Sequence, residues 1–334
     1  MSTMRVVETV EPGGPEALVV RERPRPEPGP DEVLIRIGAA GLNRADLLQR
    51  RGMYPPPPGA PSWPGLEAAG TVAAAGANVR DPKVGDKVCI LLAGGGYAEY
   101  CVAPAVLCLP VPDDLSLVEG ASLPEAYFTV WSNLYEFAHL KSGETVLVHG
   151  GSSGIGVTAI QLATALGSRV IVTAGSDDKC RFCERLGAVA AINYRTTDFV
   201  PAVQDLTQQR GVDVVLDMVG GSYLARNVAA LAPDGRLVVI ATQEGMKGEL
   251  DLRSVMAKRI FVTGSMLRPR DIAFKRRIRD ALLQHVWPLI ANERLKPVID
   301  RVFAFQDAAA AHAYMESGTH TGKIILEFPE AGHS

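Results

Sequence analysis

The sequence predicts an α/β protein made of a β-rich unit and a doubly wound parallel sheet, and three features of its patterning carry that expectation. Short alternating segments among many Pro and Gly residues fill the first 125 residues, continuous apolar runs alternating with helical stretches fill the middle, and the alternating texture returns near the end. With 334 residues, 47% of them hydrophobic and 21% charged, the chain is long enough for two domains, each with its own core.

The first region supplies Val33 to Ile37 and Val88 to Leu92, read as strands of a partly open, mostly antiparallel sheet. From Glu144 the apolar runs become continuous: Thr145 to Val148, Val170 to Thr173, Val212 to Leu216 and Leu237 to Ile240. Strands apolar on both faces and separated by helices are what βαβ units require. After about residue 268 come a charged helix, an alternating run from Val298 to Phe305, an Ala-rich helix from Asp307 to Ser317 and a last strand from Lys323 to Phe328. The β-rich domain is therefore expected to be split, residues 1–125 with 268–334, around a parallel-sheet domain of residues 126–267.

The 34 basic and 37 acidic residues leave a net charge of −3, which gives no bulk attraction to nucleic acid or to an anionic membrane. The basic run Lys275 to Arg279 is expected on the solvated face of a helix whose apolar side carries Ile278, Leu282 and Leu283. No signal-peptide pattern opens the sequence and no run approaches the roughly 20 apolar residues of a membrane span, so a cytoplasmic protein is the expectation. Five cysteines, an odd number, point to free thiols. Cys180 and Cys183 form a lone CxxC with no second pair or nearby His to complete a zinc site, and no metal is expected.

The strand Thr145 to Val148 runs into Gly150, Gly151, Gly154 and Gly156, then into a helix with Ile155, Ala159, Leu162, Ala163 and Leu166 on one side. Glycine lets the backbone turn sharply and approach a pyrophosphate, whose charge is met by free amides and the helix dipole. Inside a repeating βαβ pattern this marks dinucleotide binding by Gly151, Ser152, Ser153, Gly154, Ile155 and Gly156. The next strand ends in Ala174-Gly175-Ser176, without the acidic residue that would take the ribose hydroxyls of NAD. Ser176 offers a hydroxyl and Lys179 a cation to a 2′-phosphate, with Tyr194 flanking the pocket, so NADPH is the expected cofactor. Asp177 and Asp178 stand as alternatives, accepting from a ribose hydroxyl or capping the following helix. Lys179 and Tyr194 also fit a surface cation and a strand-end aromatic.

The glycine spacing is shared with short-chain dehydrogenases, but about 145 residues precede it here and none of the eight tyrosines has Lys four residues later. Seven segments instead carry a resemblance that runs almost end to end. They are Gly41 to Leu48, Gly52 to Gly59, Gly65 to Gly70, Gly85 to Val88, Gly96 to Tyr100, the turn at 149–156, and Gly322 to Ile325. Through them the chain resembles the zinc-independent medium-chain dehydrogenase/reductases, specifically the quinone oxidoreductase family and its p53-inducible quinone oxidoreductase-like group. The resemblance implies a GroES-like catalytic domain, a Rossmann domain, NADPH and a quinone acceptor. Zinc-dependent relatives carry Cys where this chain has Asn43 and His where it has Leu66, and the lobe of four cysteines is absent, so alcohol oxidation by a metal is not expected.

The resemblance further implies Asn43 at the nicotinamide edge or the substrate carbonyl and Tyr54 in the substrate pocket as a proton donor. A loop-stabilising amide and a packing role are their alternatives. Thr129 is implied near the nicotinamide, with an ordinary helix position as its alternative. Gly220, Gly264 and Met266 follow later strands, where ligands of such sheets bind. Lys323 is implied as a cation to the cofactor, against a surface charge. Pro55 to Pro58 reads as a stiff wall of the site rather than an SH3 ligand. The strand near Phe261 to Ser265 is expected as an exposed edge that pairs with a second copy in a homodimer. Two rivals remain: a reductase of enones or enoyl thioesters, and a protein that holds NADPH for a regulatory or RNA-binding role.

Overall fold

The computed structural model describes residues 2–328; the last six residues of the expected 268–334 segment lie outside them. The chain forms two compact units, one made of the chain up to Phe128 and from Arg268 onward, the other of Thr129–Leu267.

In the first unit β1 (Thr3–Thr9) and β2 (Leu18–Pro24) pair antiparallel. The next elements are β3 (Glu32–Gly41), α1 (Arg44–Arg50), β4 (Glu67–Ala75), β5 (Lys87–Leu91), β6 (Tyr100–Pro104), β7 (Leu109–Pro110), the short α2 (Leu117–Gly120) and α3 (Pro124–Val130). A seven-stranded sheet holds β3, β4, β5 and β7 in that order, with β6 also on β3, and these four pairings are antiparallel. Its core gathers Ile35, Val72, Ile90, Tyr97, Ile324 and Leu326. Helix α1 is anchored through Arg50, whose fully buried guanidinium donates to Gly13 O at 3.1 Å and pairs with Glu316. That anchor fixes the helix whose N-cap is Asn43.

A π-helical turn, Trp131–Phe137, opens the second unit. After it come β8 (Thr145–Val148), α4 (Gly154–Ala165), β9 (Arg169–Ala174), α5 (Asp177–Arg185), β10 (Ala190–Asn193), α6 (Phe199–Leu206), β11 (Val212–Asp217), α7 (Tyr223–Ala230), β12 (Leu231–Val239), α8 (Leu252–Lys258) and β13 (Phe261–Gly264). All pairings are parallel, in the order β10-β9-β8-β11-β12-β13. This is the Rossmann strand order, with the chain's direction of travel reversing between β8 and β11. Leu147, Ile171, Val215 and Leu237 pack in its core with Phe199. Strand β12 starts earlier than its apolar run suggests, because Leu231 pairs with Val212 before the register jumps to Arg236 and Val214.

The chain then returns to the first unit with α9 (Ile272–His285), α10 (Trp287–Ala291), β14 (Ile299–Ala304), α11 (Ala308–Glu316) and β15 (Lys323–Glu327). Strand β15 runs antiparallel to β3, with Ile325 opposite Gly41, and thereby completes the GroES-like domain across the chain's two ends. On α9 the basic run is only partly solvated: Arg276 and Arg277 are exposed, but Lys275 is buried and donates to Arg268 O at 2.9 Å. The lysine lies on the same side as buried Ile278 and Leu282, where its ammonium satisfies a buried carbonyl. All five cysteines are free and buried. Among the described residues, no helix is long and apolar enough to cross a membrane.

Candidate active site

In the first unit the site grows from the end of β3. Asn43 caps α1, and its backbone N–H donates to Asp46 Oδ2 at 2.8 Å. Its side-chain Nδ2 donates to Glu67 Oε1 at 2.8 Å, while its Oδ1 accepts from Lys323 Nζ at 2.8 Å. These two bonds fix the orientation of the amide. Lys323 also donates to Leu42 O at 3.2 Å and pairs with Glu67, both side chains almost fully buried. The lysine is thus neither a surface charge nor unengaged: all three of its N–H groups have acceptors.

Glu67 uses its other oxygen, Oε2, to accept from Glu125 N at 2.8 Å at the start of α3. Asp46, wholly buried, accepts from Gly65 N at 2.9 Å. Burial pushes its carboxyl up to about 6, against those two backbone amides that favour the charged form. Gly65 has φ +107°, and a Cβ there would lie 2.5 Å from Gly96 Cα, so only glycine closes this corner. Leu66 beside it is buried.

Tyr54 and the proline loop are held by Arg268, which sequence reasoning missed. Its Nε donates to Ala93 O at 2.7 Å, Nη1 to Tyr54 O at 3.2 Å and Nη2 to Gln49 Oε1 at 2.7 Å. The guanidinium carbon lies 5.1 Å from the Tyr54 ring centroid. Tyr54 is half-buried and its hydroxyl is pushed up from its ordinary value, by burial first, with Arg268 opposing. Glu67, Glu125, Lys275 and Arg268 carry no local signal: each is an ordinary charged residue in its own segment.

In the second unit the candidates follow the carboxyl ends of parallel strands, which share one edge of the sheet. Gly150 turns with φ +69°, and Ser153 caps α4 by accepting from Gly156 N at 3.1 Å. A Cβ on Gly151 would meet Val172 at 2.6 Å, and one on Gly156 would meet Gly150 O at 2.3 Å. The turn, with Ser152 and Gly154-Ile155, therefore closes directly on the sheet, at the switch between β8 and β11.

After β9, Ser176 caps α5 and accepts from Lys179 N at 3.3 Å, which leaves the hydroxyl proton free to donate elsewhere. Asp177 accepts from Asn193 Nδ2 at 2.7 Å and Asp178 pairs with Arg181. Tyr194, 44% exposed, follows β10, and its hydroxyl lies over Gly175. After β11, Asp217 Oδ1 accepts from Val219 N at 2.7 Å and Gly220 turns with φ +67°. Gly264 ends the edge strand β13, and Met266 beyond it is exposed. Thr129 is largely buried, and its carbonyl accepts from Asn133 Nδ2 at 2.8 Å.

Known proteins share these features across the chain. The family model of the alcohol dehydrogenase GroES-like domain matches residues 29–113, and that of the zinc-binding dehydrogenases matches residues 186–326. Human quinone oxidoreductase is 32% identical over 329 residues, covering 97% of each chain. A component of the phenolphthiocerol/phthiocerol polyketide synthase of Mycobacterium tuberculosis is 35% identical over 96% of this chain, which spans 15% of that protein's length. Among solved structures, an NAD-dependent alcohol dehydrogenase superposes with a TM-score of 0.86 at 33% identity, covering 97% of this chain and 99% of the other. A mycobacterial protein complexed with NADPH gives 0.86 at 31% identity, covering 97% and 100%. Similarity of this extent, over both domains, places the chain in a family: it belongs to the medium-chain dehydrogenase/reductase superfamily, in its quinone oxidoreductase-like part.

Proposed function

We propose that this chain is an NADPH-dependent, metal-free reductase whose acceptors are quinones. The observation that carries the reading is the saturated cluster of Asn43, Glu67 and Lys323. A zinc ion at Asn43 would have to share the amide with the Lys323 ammonium, and Leu66 offers it no donor atom. Without a Lewis acid to activate an alcohol, the favoured chemistry is reduction of an acceptor already poor in electrons. Kinship with human quinone oxidoreductase supports a quinone in that place.

The second unit suits a dinucleotide. Gly151 and Gly156 leave no Cβ in the turn, and the first amides of α4 have no intrahelical acceptor, so a pyrophosphate is met by N–H groups and the helix dipole. Both acidic residues beyond β9 are engaged by Asn193 and Arg181, which favours a 2′-phosphate on Ser176 and Lys179 over bare ribose hydroxyls. The relative bound to NADPH supports the same choice. Thr129, Tyr194, Gly220, Gly264 and Met266 complete the cofactor set of this reading.

Bound NADPH supplies the hydride. The second side-chain N–H of Asn43 donates to Gly41 O at 3.5 Å, a long bond it can exchange for one to a carbonyl oxygen gathering charge. Tyr54, stiffened by Arg268, bounds the acceptor's pocket. The same reading includes a homodimer paired through β13, where Phe261 and Val262 are 66% and 44% exposed.

The test is oxidation of NADPH and NADH by the purified, EDTA-treated protein with 1,2- and 1,4-naphthoquinones and an enoyl thioester. Faster NADPH oxidation with a quinone, indifferent to the chelator, is expected; chelator-sensitive turnover or a preference for NADH overturns the reading. Glu125, a half-buried acidic residue, favours a second one, reduction of an enone or enoyl thioester, because such products need a proton delivered to carbon. Selective turnover of the thioester would move the assignment there.

A further inference from the structure

Three carboxyl groups, those of Asp46, Glu67 and Glu125, interact around the single ammonium of Lys323. Their hydrogen bonds divide unequally. Glu67 takes the ammonium, the Asn43 amide and the backbone N–H of Glu125. Asp46 takes the backbone N–H groups of Asn43 and Gly65. No hydrogen bond or ion pair from a described residue reaches the carboxyl of Glu125, which is half-buried at the start of α3.

A carboxylate withdrawn from water, without donors and beside other carboxylates, is the member of such a set that keeps its proton. The groups acting on it are Glu67 from β4, Asp46 from α1, Lys323 from β15 and Lys275 from α9. Tyr54 and Arg268 in turn feel its charge. Lys323 and Lys275 oppose the proton, but the first is bound to Glu67 and the second to Arg268 O. Burial first and then Glu67 push Glu125 up to about 8, which favours its acid form.

We propose that Glu125 is the proton donor of the reaction, giving its carboxyl proton to the acceptor as hydride arrives. This rests on the reductase reading above. When bound, NADPH would supply two electrons and one hydrogen as hydride, leaving NADP+. The anion so formed takes the proton of Glu125, at oxygen for a quinone or at carbon for an enone. Glu125 is left as a carboxylate and is protonated again from water. A hydroquinone anion is a weaker base than an enolate and needs the acid less.

Glu125→Gln keeps the shape and removes the acid, and Glu125→Asp restores one. With saturating NADPH, wild-type kcat for a naphthoquinone and for an enone is expected to fall as pH rises through 8. In Glu125→Gln that limb should disappear, with enone turnover at pH 7 down by roughly 10²-fold or more and quinone turnover down less. The Kd for NADPH should hold, and Glu125→Asp should regain the limb. Wild-type turnover with an unchanged kcat and pH profile in Glu125→Gln would sink the donor role alone. Wild-type protein that turns over no acceptor would sink the reductase reading and the donor role with it. Carbon-13 labelling of the glutamates adds a reading apart from activity: no carboxyl titrating near pH 8, or one that persists in Glu125→Gln, overturns the proposal.

Discussion

In the Thr129–Leu267 unit the candidate site is made of main chain, whereas in the other unit it is made of side chains. The turn between β8 and α4 works by what it lacks: no Cβ at Gly151 or Gly156, and first-turn amides without intrahelical acceptors, of which Ser153 takes that of Gly156. The cluster around Asn43 works by charges held out of water, with Lys323 and Glu67 almost fully buried. The two designs fail differently. A backbone site fails by steric intrusion, and a charged cluster fails when one partner is removed and the other is stranded.

The largest effect is therefore expected in the charged cluster. Lys323→Met strands the Glu67 carboxylate and should cost about 3–5 kcal/mol in urea unfolding, as loss of one partner of a buried ion pair does. The double variant Lys323→Met/Glu67→Gln removes both charges and should recover much of that loss. If the single variant costs under about 1 kcal/mol, the cluster is wetter than its burial implies, and the contrast between the units collapses.

That contrast also decides what the sequence makes legible. The Rossmann unit is a local code: a strand, a turn and a helix lie within some twenty residues, so period and glycine spacing announce the glycine-rich turn. Strand β8 coincides with its apolar run, Thr145–Val148. Strands β9 and β11 exceed their runs by a residue at one end or both, but β12 starts well before its run, at Leu231, because Pro233-Asp234-Gly235 reads as a turn and Asp234 adopts φ +62° within the strand. The cluster in the other unit is a long-range construction, in which Lys323 meets Glu67 across 256 positions. No spacing rule links two charged residues that far apart. Asn43 and Lys323 are marked separately, by resemblance, and their direct bond is not readable. Lys275 is misjudged because periodicity gives the face of a helix and not whether a long side chain folds back to a buried carbonyl.

Next in size is the backbone site. In Gly156→Ala the new methyl would meet Gly150 O at 2.3 Å, and since main chain cannot swing aside as a side chain does, the turn itself must open. A loss of about 1–3 kcal/mol in stability is expected, with NADPH affinity reduced by more than tenfold. Full affinity in this variant would show that the turn is not built by close approach.

The charged cluster should also leave a mark on stability against pH that the backbone site does not. Asp46 and Glu125 are pushed up to about 6 and about 8. A raised carboxyl contributes stability that is fully present below its ordinary value, roughly 4, and is lost as pH rises through the folded value. Melting temperature is accordingly expected to fall between about pH 4 and 8. Glu125→Gln, unable to ionise, should keep only the Asp46 part of that fall, so the two curves run together below about pH 4, draw apart as pH rises toward 8 and stay apart above it. Parallel curves throughout would place the Glu125 proton elsewhere.

The smallest effect returns to the second unit, at a side-chain bond beside its candidate site. Asn193 Nδ2 holds Asp177 at 2.7 Å, and on the proposed reading this keeps a carboxylate away from the ribose. Asn193→Ala releases that carboxylate at the N-terminus of α5, where it can accept from the ribose hydroxyls of NADH or repel a 2′-phosphate. Because Asp177 is solvent-accessible and also serves the first turn of its helix, only a few-fold shift of kcat/KM from NADPH toward NADH is expected. Steady-state kinetics with the two cofactors would measure it. An unchanged ratio would mean that Asp177 takes no part in the choice, leaving Ser176 and Lys179 to set it by attraction alone. A shift toward NADH would mean that even the unit built from main chain tunes its cofactor with a charge held in check.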